Sequence, residues 1–301
     1  MPLFTDLAVE SLRELSPHKP LPDGIEFSED KNALLPWERV RVKSDEGADF
    51  LQKEKGEYLT VLTGALWLDE REKFREKLFF FRDLLLPFFS GAKGAPVLVA
   101  GLGNRGVTCD AIGPGAVKNL IVTRHIKAAS PFLFENLGLS EVCALTPGVL
   151  GQTGIESGDV VASVAKAVRP GLVVVIDALA ARDLQRLVKT VQISDTGLSP
   201  GAGVGNRRPE ISERTLGVKV VSIGVPTVVD AATMARDLLR RFGEKGAAEK
   251  AGAAFEGEMN FFVTPKETDE VIRSMGAFLG YALNLALNEN LSFEDMVSLA
   301  G

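Results

Sequence analysis

The sequence predicts an α/β fold built on a largely parallel sheet with helices on both faces. Three short apolar runs support this prediction, because such runs are typical of strands that are covered on both sides. They are APVLVAGLGN from Ala95, GLVVVIDALAA from Gly171 and VKVVSIGVP from Val218. Helix-like segments such as ESGDVVASVAKAV and DAATMARDLLRRFG alternate with these runs. This strand–helix–strand order favours parallel pairing.

Further elements are predicted at both ends of the chain. The segments ERVRVKS and GEYLTVLTG alternate as strands do, and DEREKFREKLFFFRDLL has helical spacing with charges on one face. These segments predict an N-terminal strand and helix addition. The tail from Thr264 predicts two helices, the second beginning near Ser292. Because no repeat or linker divides the chain, we expect a single domain.

Composition and charge exclude several classes of protein. The 301 residues are 46% hydrophobic and 25% charged, enough to form a folded core. The net charge of −6 argues against a nucleic-acid-binding domain. Cys109 and Cys143 lie outside any CxxC, which argues against a disulfide framework or zinc finger. The chain shows neither a secretion signal nor a membrane span, so we expect a cytoplasmic protein.

Two aspartates follow buried strands and are the first candidates for catalysis. Asp110 lies in GLGNRGVTCDAIGP after the first apolar run, and Asp177 closes GLVVVID. Ligands and catalytic groups of open parallel sheets collect beyond the carboxyl ends of the strands. An acid at such a position is costly unless it is paired or used. The alternative is that each aspartate only caps the helix that follows.

Two glycine-rich stretches allow other interpretations. GLGNRG fits the G-x-G-x-x-G pattern of dinucleotide sites, but the acid expected about 20 residues later is missing from IVTRHI. We therefore expect no nucleotide cofactor. TPGVLGQTGIESGD could direct backbone N–H groups toward the strand ends, as an anion site or oxyanion hole does. A plain tight turn is the simpler interpretation of that stretch.

Other protease signatures are weak or missing. Asp195 lies in DTG, the signature of pepsin-like enzymes, but those enzymes are all-β and carry two copies, so Asp195 is a secondary candidate. The only histidines are His18 and His125, and neither neighbours a nucleophile motif. The chain also lacks HExxH. We therefore expect neither a serine or cysteine triad nor a classical zinc peptidase.

Several long motifs, taken together, resemble the spore germination protease family in order and spacing. They are FTDLAVE, GLGNRGVTCDAIGP, TPGVLGQTGIE, VIDALAAR, ISDTGLSPGAGVGNRR and IGVPTVVDAAT. The family is regarded as an atypical aspartic protease, and by motif its two catalytic aspartates correspond to Asp110 and Asp177. The resemblance also implies a fold similar to that of the hydrogenase maturation peptidases. Those peptidases bind a metal, whereas here no histidine lies near either aspartate and we expect no metal.

The resemblance further implies a zymogen and a class of substrate. Family members cut small acid-soluble spore proteins after the acidic residue of a Thr-Glu-apolar-Ala-Ser-Glu motif, and this chain carries Thr-Asp-Leu-Ala-Val-Glu at 5–10. Self-cleavage would then occur between Asp6 and Leu7. This predicts a short propeptide, 1–6, and a peptidase domain, 7–301. A homotetramer in the forespore or spore core is also implied.

Two further hypotheses remain open from the sequence. One is a metal-dependent peptidase on the same fold, with the metal held by carboxylates alone. The other is a non-enzymatic module that binds a nucleotide or phosphate through its glycine-rich loops.

Overall fold

A computed structural model describes residues 5–16, 20–91, 94–201, 208–244, 246–248, 261–288 and 290–300. Within these residues, nine strands form one sheet in the order β1-β2-β3-β7-β8-β6-β4-β5, with β9 paired to β8. The strands are β1 (Ile25–Asp30), β2 (Trp37–Val42), β3 (Gly56–Leu62), β4 (Val97–Gly101), β5 (Val142–Leu145), β6 (Leu172–Ala181), β7 (Thr190–Ser194), β8 (Val220–Asp230) and β9 (Phe262–Val263).

Helices connect and cover these strands, and the α/β class is confirmed. In the described ranges they are α1 (Ala8–Leu15), α2 (Asp45–Leu51), α3 (Arg71–Leu85), α4 (Ile112–Lys118), α5 (Arg124–Ala129), α6 (Pro131–Asn136), α7 (Leu150–Thr153), α8 (Ser157–Val168), α9 (Glu213–Leu216), α10 (Ala231–Arg241), α11 (Thr268–Leu287) and α12 (Phe293–Ala300).

The three apolar runs form the centre of the sheet as β4, β6 and β8. Strands β5, β4, β6 and β8 pair in parallel. The N-terminal strands β1 to β3 and strand β7 pair antiparallel and extend the sheet on the β8 side. The candidate residues Asp110 and Asp177 therefore belong to the parallel part, as the sequence predicted.

Both faces of the central strands are covered, as residues of β6 illustrate. Val174 and Ile176 are fully buried in the cluster that includes α4 and α11. Val173 and Val175 are equally buried but belong to a second cluster with α8. Because side chains of a strand alternate between faces, an apolar residue at every position is the signature of a strand covered on both sides.

The C-terminal tail forms the two predicted helices, α11 and α12. The Phe81 ring of α3 packs on the Phe278 ring of α11 with centroids 5.2 Å apart. Ser292 begins α12 as predicted, because its hydroxyl accepts a hydrogen bond from the Asp295 N–H at 3.0 Å. In the described parts of the chain, no helix is both long and apolar enough to cross a membrane.

Helix α4 lies unusually close to the ends of the central strands. A Cβ atom on Gly113 would stand 2.3 Å from the backbone oxygen of Leu102 and 2.6 Å from that of Ile176. A Cβ atom on Gly101, at the end of β4, would stand 2.3 Å from the Gly113 oxygen. Only glycine permits this approach of helix to strand. This close packing holds together the two ends of the segment between β4 and α4, which carries Asp110.

We predict that Gly113→Ala lowers the free energy of unfolding by about 1–3 kcal/mol, because the added methyl group collides with backbone that cannot move aside cheaply. Chemical denaturation monitored by circular dichroism measures this change. Gly151→Ala is the matched control, since a Cβ atom there meets nothing within 4 Å. Equal stability of the two variants would contradict the close packing of α4.

Candidate active site

The two candidate aspartates lie where β4 ends beside β6. Strand β4 stops at Gly101, whose partner on β6 is Ile176, so Asp177 is the first residue of β6 beyond that pairing. The sequence suggested that Asp177 ends its strand. In the structure it does not, because β6 stays paired with β8 as far as Ala181. Asp110 ends a short 3-10 turn after β4. Among the described residues, Asp177 therefore has no strand partner on the β4 side.

One cleft brings these carboxyl groups together. It has a volume of about 460 Å³, and Asp110, Asp177 and Asp6 all line it. A neighbouring cleft of about 450 Å³ shares Asp6 and Asp177 and is also lined by Lys53 and Gln192. Three acidic side chains from distant parts of the sequence therefore border one concave surface.

The glycine-rich loop GLGNRG holds Asp110 in place. The backbone N–H of Asn104 donates to the Asp110 carboxylate at 2.9 Å and to its backbone oxygen at 3.0 Å. Gly103 adopts a φ of +112°, and a Cβ atom there would lie 2.0 Å from the Asp110 oxygen. The GLGNRG loop, which resembles a nucleotide-binding fingerprint, therefore packs against the backbone of Asp110.

Asp177 is the more deeply buried acid of the two. Its residue surface is 7% exposed, and its Oδ1 accepts a hydrogen bond from the Ala178 N–H at 2.9 Å. Burial raises the pKa of Asp177 well above its ordinary value, and the nearby charges of Asp110 and Asp6 raise it further. Burial also raises the pKa of Asp110, which the hydrogen bond from Asn104 opposes. The protonated form is thus favoured most strongly at Asp177.

The predicted cleavage bond follows Asp6 and lies against the end of β6. The Asp6 N–H donates to the Ala180 oxygen at 2.9 Å, and the Ala180 N–H donates to the Asp6 carboxylate at 2.8 Å. Leu7 is fully buried. The residues on the two sides of this bond are therefore held in different ways, Asp6 by the strand end and Leu7 by the apolar core.

A second acid of the same segment is also bound by backbone groups. The carboxylate of Glu10 accepts hydrogen bonds from the N–H groups of Arg182 at 2.8 Å and Asp183 at 3.0 Å. The Thr5 hydroxyl also donates to Glu10. Burial raises the pKa of Glu10, which these hydrogen bonds oppose. The 5–10 segment is therefore anchored at both of its acidic positions.

The structure places the secondary candidate, Asp195, in a different setting. Its Oδ1 accepts a hydrogen bond from the Glu57 N–H at 2.7 Å, which joins the end of β7 to β3. Asp195 is not among the described residues that line either cleft. Strand β7 runs antiparallel to β8, so its end points away from the carboxyl ends of the parallel strands.

The second glycine-rich stretch forms one side of the cleft. Val149, Leu150 and Gly151 line it, at the start of the one-turn helix α7. The N–H groups of Gln152 and Thr153 donate to the Val149 oxygen, so the turn itself uses them. These two N–H groups therefore belong to a tight turn, the simpler of the two interpretations of this stretch.

Three polar residues at the clefts were not among the candidates predicted from the sequence. Lys53 follows α2 and Gln192 lies within β7, and both contact the N-terminal segment. Thr227 lines the cleft that contains Asp110, and its hydroxyl is buried without a hydrogen-bond partner in the described part of the chain. Lys53 and Gln192 lie outside the motifs, whereas Thr227 lies within IGVPTVVDAAT, and the position of each at the clefts depends on contacts between residues far apart in sequence.

Only one of the two histidines, His125, lies in the ranges that the structure describes. His125 lies in α5, and His18 falls outside the described residues. No group of three or more histidine, cysteine, aspartate or glutamate residues that could hold a metal ion occurs in the ranges that the structure describes.

We predict that Asp177→Asn makes the protein more stable at pH 7 than the unmodified chain. Folding raises the pKa of Asp177, so the native state binds its proton more tightly than the unfolded state. The contribution of this group to stability therefore falls as pH rises from the ordinary aspartate pKa of about 3.9 toward the higher folded value. The asparagine removes that penalty.

Denaturation at several pH values measures the difference, which should disappear below the ordinary aspartate pKa. Asp83→Asn replaces an exposed residue of α3 and retains both cleft aspartates, so it should keep the pH profile of the unmodified protein. An Asp177→Asn protein less stable than the unmodified chain at pH 7 would argue against the buried-acid description.

Comparisons with known proteins agree with one another on the family. A family model described as "Germination protease" matches residues 5–252. The germination protease of Clostridium perfringens (strain 13 / Type A) is 38% identical, covering 97% of each chain. That of Caldanaerobacter subterraneus subsp. tengcongensis is 38% identical over 98% of this chain and 97% of its own. The germination protease of Bacillus subtilis (strain 168) is 36% identical over 97% of this chain and 95% of its own.

A search of solved structures matches the NiFe hydrogenase maturation protease HycI from Thermococcus kodakarensis KOD1, with a TM-score of 0.38 and 17% identity over 68% of this chain and 98% of that one. The family model and the relatives cover nearly the whole described fold, including the cleft and its aspartates. The chain therefore belongs to the germination protease family and is a peptidase of spore germination.

Proposed function

We propose that this chain is a self-processing endopeptidase in which Asp110 and Asp177 activate water to cut peptide bonds after an acidic residue. The observation that supports this most directly is that Asp110, Asp177 and Asp6 line one cleft. Two of these acids would be the catalytic pair, and the third belongs to the bond that the resemblance predicts to be cut.

The environments of the pair suggest their roles. Asp177 is the deeper acid with the strongly raised pKa, so it carries the proton and acts as the general acid. The pKa of Asp110 is raised less strongly than that of Asp177, because Asp110 is only half-buried and accepts a hydrogen bond from the Asn104 N–H, so Asp110 ionises first and acts as the general base. The charge of Asp110 raises the pKa of Asp177, so the two carboxyls would titrate as a coupled pair.

Self-cleavage would occur between Asp6 and Leu7. The Asp6 side chain already borders the cleft, and its backbone is bound to Ala180. Removing residues 1–6 would leave 7–301 as the mature domain. Leu7 is fully buried, so the apolar core would keep the new N-terminus in position.

The substrates would be proteins that carry the same acidic motif as residues 5–10. Backbone N–H groups at the end of β6 bind both acids of the chain's own copy, at Asp6 and Glu10. We infer from the family resemblance that these substrates are the small acid-soluble proteins of the spore. The same resemblance is the basis for proposing a zymogen that acts as a homotetramer in the spore core.

We expect Asp110→Asn and Asp177→Asn each to slow self-cleavage about 10²–10⁴-fold, the range typical of a lost general acid or base. Intact mass spectrometry at mildly acidic pH would follow the loss of residues 1–6. Asp195→Asn is the matched control: it keeps an oxygen that can accept from Glu57 and should be cut normally.

A chelator should leave the rate of cleavage unchanged. Loss of cleavage in the chelator, followed by its recovery when a divalent ion is added, would instead support a metal-dependent peptidase. Normal cleavage of Asp110→Asn or Asp177→Asn would contradict the two-aspartate mechanism.

A further inference from the structure

The carbonyl oxygen of Asp6 accepts hydrogen bonds from two side chains. Lys53 Nζ lies 3.0 Å from it, and Gln192 Nε2 lies 3.1 Å from it. This carbonyl belongs to the peptide bond between Asp6 and Leu7. Two donors, one of them a cation, on the oxygen of a single peptide bond are the arrangement that stabilises negative charge on that oxygen.

Gln192 contacts the chain on both sides of the bond. Its Oε1 accepts a hydrogen bond from the Ala8 N–H at 2.8 Å, and its Nε2 donates to the Asp6 oxygen. The Ala8 N–H can only donate, so it sets which end of the Gln192 amide faces the Asp6 oxygen. The amide is therefore oriented by the same segment whose carbonyl it contacts.

Sheet register places Gln192 on the same face as Asp177. Gly224 of β8 pairs with Asp177 on one side and with Gln192 on the other. Residues paired in this way lie in one row across the sheet and direct their side chains to the same face. Gly224 contributes no side chain to the row, and both clefts are lined by Asp6 and Asp177. The proposed acid and the proposed donor thus act from one surface.

Lys53 reaches the same oxygen from a separate element. It lies just after α2 and is half-buried, and its Nζ is also 3.4 Å from the Thr5 oxygen. The next lysine in sequence, Lys55, is instead half-exposed and paired with Asp45 at 2.7 Å. The two neighbouring lysines therefore have different surroundings, and one of them contacts the peptide bond of interest.

We infer that Lys53 and Gln192 are catalytic residues that stabilise the oxyanion formed at Asp6, an inference that rests on the proposed self-cleavage. Water oxygen bonds to the Asp6 carbonyl carbon and gives one proton to the ionised aspartate. The carbonyl π electrons move to the oxygen, where the N–H groups of Lys53 and Gln192 stabilise the charge. When the electrons return, the bond to the Leu7 nitrogen breaks, and that nitrogen takes the proton of the protonated aspartate.

The test compares first-order rates of self-cleavage in the full chain by intact mass. Loss of one oxyanion donor is expected to slow cleavage about 10²–10³-fold, so we predict this for Lys53→Met and for Gln192→Glu. Gln192→Glu retains an oxygen that can accept from Ala8 but removes the donor to Asp6. Lys53→Arg keeps a cationic donor and should recover much of the rate, and Lys55→Met is the matched control that should be cut normally.

A second readout separates oxyanion stabilisation from simple docking of the segment. Amide hydrogen exchange of residues 5–16 is measured for each variant in an Asp177→Asn background, in which cleavage is expected to be much slower. We expect the protection of this segment to be unchanged in Lys53→Met. A rate loss accompanied by an equal loss of protection would overturn the inference in favour of docking alone, and so would an undiminished rate.

The outcomes also distinguish this inference from the proposed function. If the unmodified chain cleaves itself and Asp177→Asn does not, the proposed function stands, whatever Lys53→Met does. If the unmodified chain never loses residues 1–6, self-cleavage is wrong and the role of Lys53 and Gln192 is wrong with it.

Discussion

The burial of the Asp177 carboxyl within a sheet is the constraint on which the other features of the site depend. A carboxylate in such a place is unstable unless it is protonated, paired or hydrogen-bonded. Here its strand neighbour β4 ends one row earlier, and Asp177 lines a cleft shared with Asp110. The Ala178 N–H gives one hydrogen bond, and the nearby Asp110 disfavours a second negative charge. Burial and the charge of Asp110 outweigh the Ala178 hydrogen bond, so the pKa of Asp177 is raised and its protonated form is favoured.

Close backbone packing positions Asp110, the other candidate aspartate. Gly101 and Gly113 let α4 approach β4 to distances that no larger residue permits. The turn between them then returns Asp110 to the Asn104 N–H and toward the cleft. Sequence motifs that look like a nucleotide fingerprint can arise from this kind of packing, because glycine is needed wherever two backbones meet.

The sequence predicted the parts of the fold and site that depend on local pattern. The strands β4, β6 and β8 are continuous apolar runs, and the aspartates that follow such runs are recognisable from the sequence alone. The run GLVVVIDALAA reaches Ala181, where β6 ends, but the pairing of β6 with β8 beyond Asp177 crosses an irregularity in register and was not predictable. Gln192 was missed for the same reason, since its contact with Ala8 joins residues 184 positions apart.

Direct measurement of the two carboxyl groups tests the central claim of a shared, partly protonated pair. Nuclear magnetic resonance titration of aspartate carboxyl carbons, assigned with Asp110→Asn and Asp177→Asn, reports each group separately. We expect the pKa of Asp177 to lie well above the ordinary aspartate value and to fall when Asp110 is replaced by asparagine. An ordinary pKa for Asp177, insensitive to Asp110→Asn, would contradict the account.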